Sequence, residues 1–388
     1  MAHGSKSETA IVGGGPAGCA CAYFLKQKGI IPVVFEKISP LKTLLPTGGG
    51  RCNLAHAEFD FKALASNYPR GEKFLYSVFS RFGTSDTIDF FEKIGVETYI
   101  QDDMRIFPKS NSSADVRKAF LNALSGVKFQ QENVMSVNSC NGGFEVRSEA
   151  GAYFFKNVVI AAGGHSAFSI VSGLGHRVIE PRPALTALKT TENYSCLAGV
   201  SVRNIAAECR GRSFSGDLLF THDGVSGPVV YMISSVMARE NFPYKIRFDF
   251  MHGENLQQLL NENPHKTIKN VISEIMPKSL AETVLKKCSV NENPEAHKID
   301  GKTRDRILKT LSEFEVEAFS PAKGGEVVMS GGIALDEVNS KTMESKLYKG
   351  LYFCGEILDI DGFCGGFNLQ NCWSTGFLAA EGVSAGRV

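Results

Sequence analysis

The run Ile11-Val12-Gly13-Gly14-Gly15-Pro16-Ala17-Gly18 carries glycines at the spacing G-x-G-x-x-G. Gly13 permits a tight turn, Gly15 lets backbone meet a pyrophosphate, and Gly18 lets a helix pack closely on a strand. A helix opening at Pro16 and Ala17 presents unpaired N–H groups and a partial positive charge to phosphates. Glu36 lies 23 residues after Gly13 (36 − 13) at the end of a second strand. Its carboxylate suits a ribose and repels a 2′-phosphate, and the adjoining Lys37 is assigned to the same cofactor site. This fingerprint serves either NAD or FAD.

Three later runs favour FAD. In Leu44-Leu45-Pro46-Thr47-Gly48-Gly49-Gly50-Arg51-Cys52-Asn53, Gly49, Gly50 and their neighbour expose consecutive N–H groups, and Arg51 can meet a phosphate or a flavin carbonyl. Arg51 and Asn53, with Cys52 between them, are the expected polar contacts near an isoalloxazine. Val158 to Gly164 is an apolar strand ending in small residues, with Ala162 and Gly163 where a cofactor passes closely. The run Gly350 to Glu356 is a strand followed by Gly355 and a carboxylate, Glu356, suited to a ribityl chain. A glycine-rich loop containing Gly366, Phe367, Asn368 and Leu369 then leads into a last helix. The N-terminus of that helix favours negative charge on a reduced flavin. Only one complete fingerprint exists, which predicts one FAD site and no separate Rossmann domain for NAD(P)H.

Candidates for catalysis are weaker. His222, in Thr221-His222-Asp223-Gly224, could act as a general acid or base, but the same residues read as a turn before a helix starting near Pro228. Arg51 and Asn53 are the other candidates. Cys52 and Cys364 invite thiol redox chemistry, without a CxxC pair to support it. Asp359 and Asp361 read as loop caps more readily than as acids at the ring.

The elements that must hold these residues follow from periodicity. Strand 9–13, helix 17–28 and strand 32–36 make a β-α-β start. Residues 72–94 carry helical spacing interrupted at Gly83, and a further helix spans 115–124. Strands are expected at 144–147 and 157–162. Residues 186–250 hold short alternating runs, such as Tyr244 to Phe250, typical of half-buried antiparallel strands. Residues 255–312 turn helical and charged, strand character returns at 313–330, and a helix closes the chain over 372–385. The expected domains are an FAD-binding Rossmann-type domain (1–185 and 325–388), an inserted β-barrel-like domain (186–254 and 313–324) and a small helical domain (255–312).

The chain's 388 residues can build a large core without disulfides. With 42 basic and 41 acidic side chains, the formal charge is +1. That balance argues against nucleic acid or an anionic membrane as the main partner. The ten cysteines show no disulfide framework and no zinc spacing, so no metal is expected and the thiols suit a reducing, cytoplasmic compartment. No signal peptide and no membrane span are read.

The sequence resembles bacterial flavoproteins labelled BaiN-like, aminoacetone-oxidase-family or NAD(P)/FAD-dependent oxidoreductases. The resemblance is carried by Gly48 to Asn53, Arg182 to Leu185, Leu218 to Pro228, Gly331 to Leu335, Thr342 to Leu347 and Gly355 to Gln370. It implies a discontinuous α/β FAD domain with inserted β-barrel-like and helical parts, FAD with Glu36 at the adenosine ribose, and Glu356 near the ribityl chain. The labels disagree on substrate, from aminoacetone oxidation to reduction of double bonds in a steroid-like acid. This chain departs from the pattern in a short loop after Gly164, in Cys364 for Thr and in Phe367 for Tyr. The reading is therefore an FAD-dependent oxidoreductase moving a hydride equivalent to or from a small organic molecule held where domains meet. NAD(P)H as donor, oxygen as acceptor and the oligomeric state are left open. The rival readings are a flavin-binding regulatory or RNA-associated protein without turnover, and an NAD-dependent dehydrogenase.

Overall fold

The computed structural model describes residues 8–164, 168–251, 253–322 and 328–386. The chain divides into two compact units, Met1–Arg182 with Met329–Val388, and Pro183–Val328.

The first unit is built on a five-stranded sheet in the order Leu351–Phe353, Asn157–Ile160, Thr9–Val12, Val33–Phe35, Lys128–Gln130. Every pairing in it is parallel. The first four of these strands are buried along their whole length, as expected of apolar strands covered on both faces. Helix Pro16–Gln27 follows the first strand, and helix Phe367–Ala385 closes the chain beside it. A Cβ on Gly376 would lie 2.7 Å from the Ala17 carbonyl oxygen, so glycine there sets how closely the two helices approach. The helical stretch at 72–94 divides into Glu72–Phe79 and Thr84–Lys93, with Gly83 between them.

Two small antiparallel sheets also belong to this unit. One pairs Ala55–His56, Arg105–Pro108 and Thr98–Ile100. The other pairs Val134–Cys140, Gly143–Ser148 and Ala152–Phe155. Sequence periodicity finds only the middle strand of the second, because its neighbours mix polar and apolar side chains on both faces. The closing helix also begins at Phe367 rather than at 372. Gly366 takes a left-handed φ of 100° immediately before it, and this sharp turn starts the helix five residues early.

In the second unit six strands form a closed barrel: Leu188–Thr190, Gly224–Ser226, Arg212–Phe220, Ser201–Cys209, Tyr244–Asp249 and Phe314–Pro321. The barrel closes where Leu188–Thr190 pairs with Phe314–Pro321. Burial alternates along Tyr244–Asp249, placing Tyr244, Ile246 and Phe248 inside. Helices Leu256–Glu262, Ile268–Ile272, Lys278–Lys287 and Gly301–Ser312 are inserted before the last barrel strand. Side chains of Asn255, Thr267 and Asp300 cap three of them by accepting backbone N–H bonds. The expected boundary at 324/325 lies outside the described residues, as does His165 in the short loop after Gly164.

Candidate cofactor site

The fingerprint folds as its spacing demands. Gly13 sits at φ 105°, and a Cβ there would lie 2.4 Å from the Ala161 carbonyl oxygen. A Cβ on Gly18 would lie 1.9 Å from the Gly13 carbonyl oxygen. Both glycines are thus required by close backbone packing. Gly15 differs: its nearest neighbour in the Cβ direction is Thr43 Oγ1 at 3.7 Å, so this face is open. Glu36 is fixed by two backbone donors, Gly14 N to Oε2 at 2.8 Å and Ile38 N to Oε1 at 2.9 Å.

These residues border a cavity of about 840 Å³ at the carboxyl ends of the parallel strands, the position where open α/β sheets bind ligands. Gly13, Gly15, Pro16, Ala17, Glu36, Lys37, Ala162, Gly163 and Glu356 line it. Gly18 and Gly355 do not; they allow packing behind the wall, Gly355 against the Ala17 methyl. Sequence reasoning missed the stretch Glu132 to Met135, together with Lys42, Thr43 and Cys372, all of which line the same cavity. Lys42 and Thr43 could have been found from their place just beyond the second strand. Glu132 carried no signal, because what holds it is tertiary: Ser148, Gln130 and Tyr153 all donate to its carboxylate.

The loop Gly48–Arg51–Asn53 forms a second cluster. Gly48, Gly49, Gly50 and Cys52 all take left-handed φ values, 58°, 67°, 85° and 65°. Successive residues in this conformation turn their N–H groups toward one side, a geometry that receives anionic or carbonyl oxygens. Cβ positions on Gly49 and Gly50 would meet nothing within 4 Å. Arg51 stacks its guanidinium on Phe107 with Cζ 4.2 Å from the ring centroid, and Arg105 approaches the same ring at 5.5 Å. Asn53 is buried and its Oδ1 has no hydrogen-bond partner among the described residues. That oxygen points toward Gly366, where a Cβ would come within 2.8 Å of it. Asn371, fully buried one turn into the closing helix, likewise has an amide without partners. Burying unpaired amides costs about 1–3 kcal/mol each, so these groups fit a polar ligand at this end of the helix.

The loop before the helix is held tightly. Arg70 forms a two-pronged ion pair with Asp361, whose side chain is fully buried. The Asn368 amide is used on Gly362, accepting from its N–H and donating to its carbonyl, each at 2.9 Å. Tyr68 donates to the Phe367 carbonyl at 2.6 Å. Phe367 stacks on His56, with centroids 4.6 Å apart, and His56 Nδ1 lies 3.2 Å from the Gly365 carbonyl oxygen. Asn368 and Asp361 are thus groups that shape the loop, and His56 is a polar neighbour that motif reading did not find. Phe367 and Leu369 do not line the cavity. Cys52 is buried, which pushes its thiol up to about 12; the ten cysteines are free thiols.

His222 lies exposed at the turn between two barrel strands and makes no hydrogen bond with a described residue. The Thr221 N–H donates to the Gly224 carbonyl across that turn at 2.8 Å. This geometry is the turn-before-helix reading, the helix being Pro228–Val236.

Glu356 is pushed up to about 6, by burial first and by the Asp361 carboxylate second. Its proton is held more tightly in the folded chain than in the unfolded one. The stabilisation from that proton is therefore complete below pH 4.5 and lost as pH rises through about 6. In the flavin-free protein, Glu356→Gln is expected to gain up to about 2 kcal/mol over the parent at pH 8. Thermal unfolding at pH 4.5 and pH 8 checks this, the gain vanishing at the lower pH.

FAD fits these residues. Gly13 to Ala17 would receive the pyrophosphate, Glu36 the adenosine ribose, Glu356 the ribityl chain, and the 48–53 loop with the closing helix would receive the ring. Glu36→Ala is expected to weaken FAD retention about 10- to 100-fold, as for loss of a charged hydrogen-bond acceptor worth about 1.5–3 kcal/mol. Fluorescence titration of the flavin-free variant reads the change directly, and unaltered retention would remove the ribose contact.

Comparison with known proteins agrees with this geometry. Residues 7–382 match the family described as HI0933-like protein Rossmann domain. The chain is 27% identical over 414 residues to the 3-dehydro-bile acid delta(4,6)-reductase of Clostridium scindens, covering 96% of this chain and 98% of that protein. It is 28% identical over 399 residues to the ribosomal RNA dihydrouridine synthase of Escherichia coli, covering 97% and 98%. Among solved structures, 3-ketosteroid delta1-dehydrogenase from Sterolibacterium denitrificans superposes with a TM-score of 0.52 at 12% identity, covering 98% of this chain and 99% of that one. At that identity the likeness speaks for the fold alone. No helix among the described residues is long and apolar enough to cross a membrane. From the fingerprint cavity and a match running through nearly its whole length, the chain belongs to the HI0933-like Rossmann family of FAD-binding oxidoreductases.

Proposed function

We propose that this protein is an FAD-dependent reductase that saturates a carbon–carbon double bond conjugated to a carbonyl group. The observation that carries this reading is the end-to-end likeness to a bile acid reductase and to a ribosomal RNA dihydrouridine synthase. The two reactions so named share one chemical step. A delta(4,6) bile acid bearing a 3-oxo group and a uracil ring both present C=C in conjugation with C=O. Saturating either adds two electrons and two protons, formally a hydride at the β-carbon and a proton at the α-carbon. FAD, when bound, supplies the hydride equivalent and is recharged by a reduced nicotinamide, which we propose as the donor.

The chain's own part is positioning and charge. Arg51, stacked on Phe107 and without an acidic partner among the described residues, would hold the substrate carbonyl and the negative charge that develops on it. His56, whose Nδ1–H is used on the Gly365 carbonyl, leaves Nε2 as its free nitrogen, an acceptor through which a water would relay a proton. The substrate is a small cyclic enone in this reading, consistent with a chain whose formal charge is only +1.

A second reading, uridine within ribosomal RNA, is favoured by the name of the Escherichia coli relative. One experiment separates the two. The flavin of the holoprotein is reduced anaerobically, then mixed with a 3-oxo-Δ4 steroid acid or with unmodified ribosomal RNA. Reoxidation with a product heavier by two hydrogens in the first arm supports the small enone; the same in the second supports RNA. Reoxidation by neither, with oxygen still effective, would overturn the reductase reading.

A further inference from the structure

The helical insertion carries a cluster that flavin chemistry does not use. His265, Glu295 and His297 each place one donor atom within 4.8 Å of the others. Glu295 Oε2 lies 3.3 Å from His297 Nδ1 and 4.0 Å from His265 Nδ1. The two imidazole rings meet edge to face with centroids 5.5 Å apart.

The backbone beneath the cluster is paired. Thr267 and Glu295 form an antiparallel bridge. Ile268 N donates to Pro294 O at 2.8 Å, Ala296 N to Lys266 O at 2.9 Å, and His297 N to Pro264 O at 3.1 Å. Two segments some thirty residues apart in sequence are thereby held side by side, and all three side chains stand at this junction. His297 is oriented further: its Nδ1 donates to the Pro264 carbonyl oxygen at 2.8 Å. With Nδ1 used on that carbonyl, Nε2 is the nitrogen offered to a metal; because the 3.3 Å approach to Glu295 is made by Nδ1, the ring or the carboxylate must turn to bring Nε2 and Oε2 to one ion. Ligating histidines usually hold their other nitrogen to a carbonyl or carboxylate in this way.

We propose that His265, Glu295 and His297 form a surface site for a divalent transition-metal ion of the zinc class. Two imidazoles and one carboxylate are a donor set that binds Zn²⁺ with a fourth position left for water. Ligand bonds of about 2.0–2.2 Å need the donors to close in from their present spacing. His265 can supply that movement, since its side chain is 87% exposed and free to rotate. Among the described residues, Lys298 competes for the carboxylate: its Nζ lies 3.6 Å from Glu295 Oε2 and would have to swing into solvent. A bound ion would join the 264–268 and 294–298 segments, adding a cross-link to the backbone bonds that already pair them.

The test uses chelator-treated holoprotein titrated with zinc chloride by calorimetry. One saturable site per chain is expected, weakened at least tenfold by His265→Ala, by His297→Ala and by Glu295→Gln. Cys140→Ser/Cys196→Ser, which removes two exposed thiols, should leave it unchanged. Zinc should also slow amide exchange in 264–268 and 294–298 of the parent protein and not of His297→Ala. Absence of a saturable site, a site insensitive to the histidine substitutions, or one lost with the cysteines would each overturn the proposal. The exposed side chains make unfolding of the variants a minor concern, and a far-ultraviolet spectrum of each confirms the fold.

Discussion

Gly18→Ala is expected to yield protein that is colourless as purified and markedly less stable, whereas Gly15→Ala should be as stable as the parent and still lose its flavin. The two glycines belong to one fingerprint but answer to different constraints. At Gly18 a methyl group would stand 1.9 Å from the Gly13 carbonyl oxygen and 3.2 Å from the Ala161 Cβ. Neither neighbour can yield without moving the first helix off the sheet, so a cost at or above the usual 1–3 kcal/mol for overpacking is expected. At Gly15 the backbone has φ −75°, which alanine adopts freely, and the nearest atom is 3.7 Å away. The added methyl enters the cavity where the pyrophosphate would approach. Thermal melts of the flavin-free proteins, with flavin released by heating the untreated ones, separate packing from binding. Full flavin retention by Gly15→Ala would remove the phosphate role from this turn.

That pair of glycines also marks what can be read from a sequence. Gly13, Gly15, Gly18 and Glu36 are local: a strand, a turn and a helix within one βαβ unit bring them together, so spacing alone locates them. The parallel core strands are equally legible, being short unbroken apolar runs. Asn53, His56 and Phe107 are different. They become one site only through the small antiparallel sheet pairing His56 with Arg105 and through the closing helix, whose first residue, Phe367, stacks on His56. No spacing rule spans more than three hundred residues. Asn368 shows the complementary limit: its residue type and place in a glycine-rich loop suggest a ligand contact, but its amide is used on Gly362. Which partner an amide takes is decided by tertiary structure. His222 was ambiguous for a related reason, since a turn and an acid–base site favour the same residue types.

Arg70→Ala is expected to cost about 3–5 kcal/mol, because it deprives a buried carboxylate of its cation. The Asp361 side chain is fully buried and that of Arg70 is 11% exposed, so water cannot replace the guanidinium at low cost. For a unit of this size the change corresponds to a fall in melting temperature of about 10 °C. Asp361→Asn should cost less, since an amide buried in place of the carboxylate carries no charge. Replacing both residues by apolar ones of similar volume should recover much of the loss, which follows if the penalty is an uncompensated charge and not the absence of a bond. The substitutions also reach the site. Arg70 and Asp361 pair as an isolated antiparallel bridge at the start of the loop that leads to Gly366 and the closing helix. Asp361 is the second cause of the raised Glu356 pKa, so Asp361→Asn should return Glu356 toward the ordinary carboxylate range. The pH-dependent part of flavin-free stability would then shift to lower pH than in the parent. A variant that lost stability without moving that pH dependence would show the pair to be structural only; a shift would tie the clasp at Arg70 to the charge lining the cofactor cavity.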